Sequence, residues 1–298
     1  MGFESCHPMV NLIYFSLVIY GTIIFNHPIF LGISFLCGVV YSVKRCGRKT
    51  YIFTSVLILL VIIYGFYYSS YNHFGLTILK ENMIGNSITM ESFVYGIVRG
   101  IKIAGLFIWL SCVYSVFTSD KIVYLFGRIS PKMSLFLSIL LRLFPRLKLE
   151  TKRINRARMG IGRGVNQGNV FKRIKNIIAV LSILITWFID AIGSVIESMK
   201  NRGSALKGRK AFSIYRFDNR DRTYVIVMFA NITIVLVAII LKQTDIIYNP
   251  RIIVAPITTM SYIFYISYGL FCIMPLLLEI WVEYSFYKSK KKNFGLRR

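Results

Sequence analysis

Acidic residues are scarce in this 298-residue chain: 12 Asp and Glu stand against 37 Lys and Arg, and the net charge is +25. Charged residues of both signs make up only 16% of the chain, and hydrophobic residues make up 55%. A soluble domain has about a quarter charged residues, and a disordered chain has low hydrophobicity. The composition therefore excludes both classes and predicts a helical membrane protein with a basic cytoplasmic part.

Motifs that carry chemistry are also missing. The five cysteines form no CxxC pair and the three histidines form no cluster, so we expect neither a disulfide framework nor a metal site. No GxxxxGK[ST] motif is present, so the chain is not itself a P-loop ATPase. No nucleophile is paired with a base, and no carboxylate pair lies deep in an apolar run. We expect a non-enzymatic chain without cofactors.

Six apolar runs qualify as transmembrane helices, of which the first two are short. The N-terminal eight residues contain no Lys or Arg, and no small-residue cleavage motif follows the first run. We therefore expect a retained span and not a signal peptide. Asn26-His27-Pro28 forms a turn between the first two runs, and Pro275 lies in the last. The runs cover residues 9–25, 29–43, 52–68, 93–117, 224–241 and about 259–284.

Three segments hold 32 of the 37 basic residues: residues 44–49, residues 118–222 and the C-terminal tail. The positive-inside rule assigns such segments to the cytoplasm. Six crossings place all three inside without contradiction. The charge pattern therefore predicts an all-α membrane protein with both termini inside.

The middle segment contains two further apolar stretches, residues 133–144 and 177–189. Each is shorter than a membrane span, and an additional crossing would move a basic block outside. We expect both stretches to pack on protein or to lie at the inner face of the membrane. The expected organisation is a membrane domain at 1–117, a basic cytoplasmic insert at 118–222, and two spans with a basic tail at 223–298.

The insert begins with a helix predicted over about 131–159, with a kink or boundary at Pro145. Lys148, Lys152 and Arg156 repeat every four residues and share one face. Glu150 is the only acidic residue between residues 134 and 189. Such a face favours an anionic partner, and both lipid headgroups and an acidic protein groove remain open.

A second helix is predicted from Phe171 to about Asn201, ending at Arg202-Gly203. Glycine beyond a helix is a common C-cap, so these two residues have a structural interpretation as well as a functional one. The glycines at 160, 162, 164 and 168 do not follow a predicted strand, as a phosphate-binding loop requires. They therefore favour a break between two helices over a phosphate loop. Both helices thus end in a basic tip with glycine.

The residues around these tips resemble the transmembrane coupling (T) subunit of energy-coupling factor transporters, the EcfT/CbiQ family. The resemblance covers about residues 26–203. Leu140-Leu141-Arg142-Leu143-Phe144-Pro145 is similar to the family's L-x-R-F-x-P, and Met199-Lys200-Asn201-Arg202-Gly203 resembles its second Ala-Arg-Gly signature. Further matching residues are Thr89, Glu91, Gly96, Arg99, Lys102, Phe117-Thr118-Ser119-Asp120, Arg153, Ile154 and Ala157.

Two departures from the family pattern concern the tips. Gly160-Ile161-Gly162 stands where the first Ala-Arg-Gly signature is expected, and Arg158 and Arg163 flank it as substitutes for the missing arginine. Asn201 replaces alanine in the second signature. The chain is therefore similar to a divergent member.

The resemblance implies a mechanism without chemistry in this chain. In the family, two ABC ATPase subunits hold the Arg-Gly tips in acidic grooves, and ATP-driven closure moves the coupling helices. That motion topples a separate substrate-binding membrane subunit, which imports a vitamin or a nickel or cobalt ion across a prokaryotic plasma membrane. Arg142 and Pro145 would form the hinge, and no nucleic acid is involved.

Two other classes stay open from the residues alone. A membrane-bound enzyme could use the basic insert to gather anionic lipid, and a stand-alone permease or scaffold would need no partners. Among the remaining charged residues, Arg99 and Lys102 are expected to snorkel or to form structural pairs. Glu279 and Glu283 could pair with the insert or with the tail.

Overall fold

The computed structural model describes residues 2–81, 87–203, 215–254 and 256–295, and it is dominated by α-helices. In these ranges the chain forms one short 3-10 helix at Phe3–Ser5 and two small antiparallel hairpins, β1 (Ile78–Glu81) with β2 (Ser87–Thr89) and β3 (Ile246–Ile247) with β4 (Ile253–Val254). The α-helices are α1 (Pro8–Ile24), α2 (Pro28–Cys46), α3 (Arg48–Tyr71), α4 (Met90–Val116), α5 (Ser119–Ile129), α6 (Pro131–Gly160), α7 (Val170–Asn201), α8 (Asn219–Ile240) and α9 (Thr259–Gly295).

The chain divides into two compact units. The first contains Met1–Thr118 and Tyr215–Arg298, and the second contains Ser119–Ile214. We call them the membrane unit and the basic unit. The membrane unit holds α1 to α4, α8 and α9, and the basic unit holds α5, α6 and α7.

Large aromatic side chains fill the core of the membrane unit. Tyr14, Trp109 and Tyr268 are almost fully buried. Two of them are hydrogen-bonded: the Tyr14 hydroxyl donates to the carbonyl of Cys272 (2.9 Å), and the Trp109 indole donates to Ser34 Oγ (3.0 Å), whereas the Tyr268 hydroxyl makes no hydrogen bond among the described residues. Because buried polar groups are costly without a partner, these bonds fix α1, α2, α4 and α9 in one arrangement.

Histidine and proline start two of these helices in the same way. His7 and His27 are the N-caps of α1 and α2, and the ring Nδ1 of each accepts a hydrogen bond from the backbone N–H two residues on (3.3 Å in both). Proline follows at the first helical position, where its fixed φ suits the helix and its missing N–H costs nothing. Two of the three histidines therefore have structural roles.

Glycines let α3 and α4 approach closely. A Cβ on Gly96 would lie 3.1 Å from the Cα and carbonyl oxygen of Gly65, and a Cβ on Gly100 would lie 3.1 Å from Val61. Small residues at such spacing are a common basis of helix packing in membranes, where close backbone contact replaces the hydrophobic effect.

Six helices are long and apolar enough to cross a membrane, which agrees with a multi-pass membrane protein. Five of these six helices match expected runs, and one helix on each side has no counterpart on the other. The first run forms α1, which at 17 residues is a shorter apolar helix, whereas α7 belongs to the six. The expectation that the stretch at 177–189 is too short to cross does not hold for the helix that contains it, since α7 has 32 residues.

The two long helices of the basic unit are continuous. α6 runs through Pro145 without ending there, so the boundary that the proline suggested is absent. Pro131 occupies the first turn of α6, as the sequence predicts. α5 packs against α6, and Ser134 Oγ donates to the carbonyl of Val123 (3.1 Å).

Candidate functional site

The loop between α6 and α7 is held by side-chain amides. Asn155 Oδ1 accepts from the N–H of Val165 (3.0 Å), and Gln167 Oε1 accepts from the N–H of Gly164 (2.9 Å). Asn176, one turn and a half into α7, donates from Nδ2 to the carbonyl of Gly164 (3.0 Å). Because donors and acceptors of both helices meet in this loop, the first tip is an ordered structure that sits beside the start of α7.

The two tips share one backbone geometry. Gly162 has φ +71° and its N–H donates to the carbonyl of Met159 (3.1 Å). Gly203 has φ +74° and its N–H donates to the carbonyl of Lys200 (3.0 Å). Positive φ favours glycine at both positions. The sequence showed only that both tips are basic and contain glycine. The φ values show that Gly162 of the first tip corresponds to Gly203 of the second.

This equivalence shows what occupies the arginine position at each tip. Residue 202 precedes Gly203, and Ile161 precedes Gly162, so Ile161 is the structural counterpart of Arg202. Ile161 is 69% exposed, and Arg202 is exposed as well. Gly160 is the last residue of α6, and a Cβ there would meet nothing within 4 Å.

The arginines that flank the first tip are used differently. Arg158 is half-buried and donates from Nε to the carbonyl of Arg163 (3.3 Å), which ties its guanidinium to the loop. The side chain of Arg163 is exposed. Arg163 is thus the one of the two whose charge is presented outward from the tip.

The second tip ends α7 directly. Arg202 is the C-cap of α7, and its N–H donates to the carbonyls of Ser198 (3.2 Å) and Met199 (3.1 Å). Met199 is partly buried and Asn201 is exposed in the last turn. α7 has 32 residues and is therefore about 48 Å long at about 1.5 Å per residue, and the two tips lie toward its opposite ends.

Positive charge along α6 is neutralised at one place in the described part of the basic unit. Glu150 pairs with Arg153, with Oε1 and Nη1 2.9 Å apart, across one helical turn. Such an exposed pair contributes little. Lys148, Lys152 and Arg156 are exposed and make no ion pair among the described residues.

One face of α7 is a stripe of exposed isoleucines. Its members are four or seven residues apart, the spacing of one helical face, and each is about half exposed or more: Ile174, Ile178, Ile185, Ile189 and Ile196. Polar residues such as Asn176, Asp190 and Ser194 lie around the rest of the helix. The isoleucine stripe is a large apolar surface that requires lipid or protein against it.

The expected hinge residues lie in the middle of α6. Pro145 and Arg142 are both exposed. Proline has no N–H for the carbonyl four residues earlier, so the helix lacks one bond at this point. A cavity of about 540 Å³ lies between α6 and α7 just after Pro145. Its lining includes Arg146, Glu150, Trp187 and Asp190.

Several motif residues behind the family resemblance have structural roles. Glu91 Oε2 accepts from Thr77 Oγ1 (2.7 Å), and Thr89 Oγ1 donates to the carbonyl of Phe74 (2.5 Å). Both bonds fasten the segment between α3 and α4. Gly96 is the contact point of these helices, as described above.

The remaining charged residues find partners that the sequence did not reveal. Glu283 pairs with Lys44 (3.0 Å) and Glu279 approaches Arg45 (3.7 Å) at the end of α2, rather than the insert or the tail. Lys102 donates to Asn26 Oδ1 (2.9 Å), and Arg99 to the Tyr95 hydroxyl (3.5 Å). The described residues contain no group of three or more His, Cys, Asp or Glu that could hold a metal ion.

Comparison with known proteins finds no family model that matches the chain and no curated protein that matches it.

Proposed function

We propose that this protein is the transmembrane coupling subunit of an energy-coupling factor importer in a prokaryotic plasma membrane. In this account two ABC ATPase subunits bind the tips of α6 and α7, a substrate-binding membrane subunit binds the isoleucine stripe, and the chain transmits motion between them. The cargo is a vitamin or a metal ion and is held by the other subunit.

The observation that supports this proposal most strongly is the pair of matching tips. Two exposed glycine-containing helix ends with φ near +70° lie toward opposite ends of α7, a helix about 48 Å long. The glycine cap alone explains the φ value at each tip, so the support comes from the presence of two exposed basic tips toward opposite ends of one helix. Such a pair of tips could bind two equivalent grooves on a dimeric partner.

The chemistry of the tips favours acidic sockets. Arg202 presents a planar guanidinium, which binds a carboxylate in two parallel hydrogen bonds and thereby fixes orientation. Gly203 allows the partner backbone to come close. At the first tip Arg163 supplies the charge and Ile161 supplies an apolar contact.

The isoleucine stripe supports a second protein partner. It continues over about 22 residues of α7, whereas the cationic side chains of the hairpin concentrate toward the first tip. A membrane subunit could cover the stripe while ATPases hold the tips. The missing hydrogen bond at Pro145 would let α6 bend when the ATPases and the membrane subunit move relative to each other.

Co-purification tests the proposal. A tagged chain extracted in mild detergent is expected to carry two ABC ATPase subunits and a small membrane protein. Arg202→Glu reverses the charge at the second tip and is expected to reduce bound ATPase by about tenfold or more, since truncating a desolvated charge pair costs about 2–5 kcal/mol.

Lys132→Glu is the matched control. It makes the same charge change at an exposed position in the first turn of α6, where a negative charge suits the helix dipole. It is expected to retain the ATPases. A lone chain under conditions that preserve membrane complexes, or equal losses in both variants, would contradict the proposal.

A further inference from the structure

A cavity with mixed charge lies in the membrane unit, away from the tips. Its volume is about 420 Å³, and it is bounded by the last turn of α2, by α9 and by the N-terminal segment. Five charged side chains line it: Glu4, Lys44, Arg45, Glu279 and Glu283. The coupling role proposed above makes no use of this cavity.

The charges in the cavity are matched incompletely. Arg45 pairs with Glu4 (2.6 Å) and Lys44 with Glu283 (3.0 Å). Glu279 is left with Arg45 Nη1 at 3.7 Å, and its Oε1 accepts no hydrogen bond from the described residues. The side chain of Glu279 is only 7% exposed. Three carboxylates therefore face two cations, and the buried one lacks a donor, which is a costly arrangement unless a cationic group joins it.

The position of the cavity on α9 marks a membrane surface. Trp281, Tyr284 and Tyr287 are exposed on the same turns of the helix, and the lysine-rich tail begins at Lys288. Trp and Tyr concentrate at the level of lipid headgroups, and basic residues flank the cytoplasmic ends of spans. The cavity therefore opens where phospholipid headgroups of the inner leaflet are found.

We propose that this cavity binds the headgroup of an ethanolamine phospholipid. The ammonium would bind the carboxylates, Glu279 first, while Lys44 and Arg45 would bind the phosphate. Val282 and Phe286 on the same wall supply apolar surface next to the headgroup.

Charge and hydrogen bonding select this headgroup over others. An anionic headgroup such as glycerol phosphate would meet three carboxylates and be repelled. A choline headgroup has the same charge as ethanolamine but no N–H, and the unpaired oxygen of Glu279 requires a donor. An ammonium supplies donors for the unpaired Glu279 Oε1, and the adjoining phosphate supplies an acceptor for Arg45 Nε, which makes no hydrogen bond among the described residues, so ethanolamine matches both unpaired atoms.

Native mass spectrometry of the purified, delipidated full chain tests this inference. The chain is mixed with equal amounts of phosphatidylethanolamine, phosphatidylcholine and phosphatidylglycerol of matched acyl chains. Phosphatidylethanolamine is expected to bind about tenfold more than either competitor, the effect of one charge-assisted hydrogen bond.

Glu279→Gln retains the side-chain shape but removes the charge, and it is expected to abolish the preference for ethanolamine over choline. Glu150→Gln, which removes a partly buried glutamate of the basic unit, is the control and is expected to keep it. Glu283→Gln is a second variant for use if Glu279→Gln does not fold, and it is expected to weaken the preference.

Equal binding of the ethanolamine and choline lipids by the unchanged chain would overturn the inference, and so would a preference that survives in both cavity variants. Neither result depends on ATPase partners, so failure here is separate from failure of the coupling role.

Discussion

Gly96 is a residue at which α3 and α4 pack backbone against backbone. An added Cβ would lie 3.1 Å from the backbone of Gly65 and from Cβ of Tyr68, and two backbones cannot give way as a flexible side chain can. Gly32 on α2 has nothing within 4 Å of the same hypothetical atom. The two glycines therefore form a matched pair for a test of helix contact.

Gly96→Ala is expected to destabilise the membrane unit by about 1–3 kcal/mol, the usual cost of overpacking. Gly32→Ala is expected to leave stability unchanged or slightly raised, because alanine is the better helix former. Thermal unfolding of both variants in the same detergent measures the difference. Equal melting temperatures would contradict a close α3–α4 contact.

Tyr248 links the segment between α8 and α9 to the turn before α2. Its hydroxyl donates to the carbonyl of Asn26 (3.1 Å), and its ring lies 5.2 Å from that of Tyr95. Burial, with a smaller contribution from Tyr95, raises the pKa of Tyr248 to about 12. The ordinary value for an unfolded tyrosine is about 10.

This raised pKa gives a pH dependence with a definite sign. The unfolded chain loses the Tyr248 proton near pH 10 and the folded chain only near pH 12, so the stabilisation is complete below pH 10 and is lost as the pH rises to 12. Tyr248→Phe is expected to cost about 1 kcal/mol at pH 7 and to lose less stability than the unchanged chain between pH 10 and pH 12. Melting temperatures across that range measure both effects, and parallel curves would contradict the assignment.

Residue roles were predictable where they depend on neighbours in sequence. Pro28 and the turn before it marked the start of α2, and Gly203 marked the end of α7. The ion pair of Arg45 with Glu4 was not predictable, because the partners are 41 positions apart and only the packing of α2 on the N-terminal segment brings them together. The same holds for Lys44 and Glu283, which are 239 positions apart.

At the scale of elements, α7 is the helix whose position in the membrane most needs a test. Its length and composition suit a span. Two features favour a location along the inner face: Asp190 and Glu197 are exposed in its second half, and both of its ends carry basic residues. The positive-inside rule would be violated at one end if α7 crossed.

Cysteine labelling decides between these positions. Arg163→Cys and Asn201→Cys place a thiol at each end of α7, in a chain with Cys46→Ser, since Cys46 is the exposed native cysteine. In intact cells an impermeant thiol reagent is expected to label neither position, and after permeabilisation both. Arg251→Cys, between α8 and α9, is the control that we expect to label in intact cells. Labelling of one end of α7 without permeabilisation would show that the helix crosses.

The helices and most of their bounds were predictable from the sequence. The apolar runs located α1 to α4 and α8 to within about five residues, and they located the start of α9 but not its end at Gly295. The helix predicted from Phe171 to about Asn201 is confirmed as α7, although only its apolar stretch at 177–189 was weighed as a possible span. The helix boundary expected at Pro145 is absent, because a long helix tolerates one missing backbone hydrogen bond.

At the scale of the whole molecule, two units with different surfaces share one chain. The membrane unit buries its aromatic core, while the basic unit exposes isoleucines, arginines and two glycine tips. Composition predicted this contrast, since basic residues concentrate in the middle of the sequence. The common backbone geometry of the tips could not be predicted, because the two local sequences differ at the arginine position.

Photo-crosslinking from the two tips in cells tests the coupling role most directly. A photoreactive residue replaces Ile161 at the first tip, Asn201 at the second, or Arg251 as the control. The account predicts adducts with an ABC ATPase from both tips and none from residue 251. Adducts with lipid alone from both tips, or an ATPase captured equally from residue 251, would contradict it.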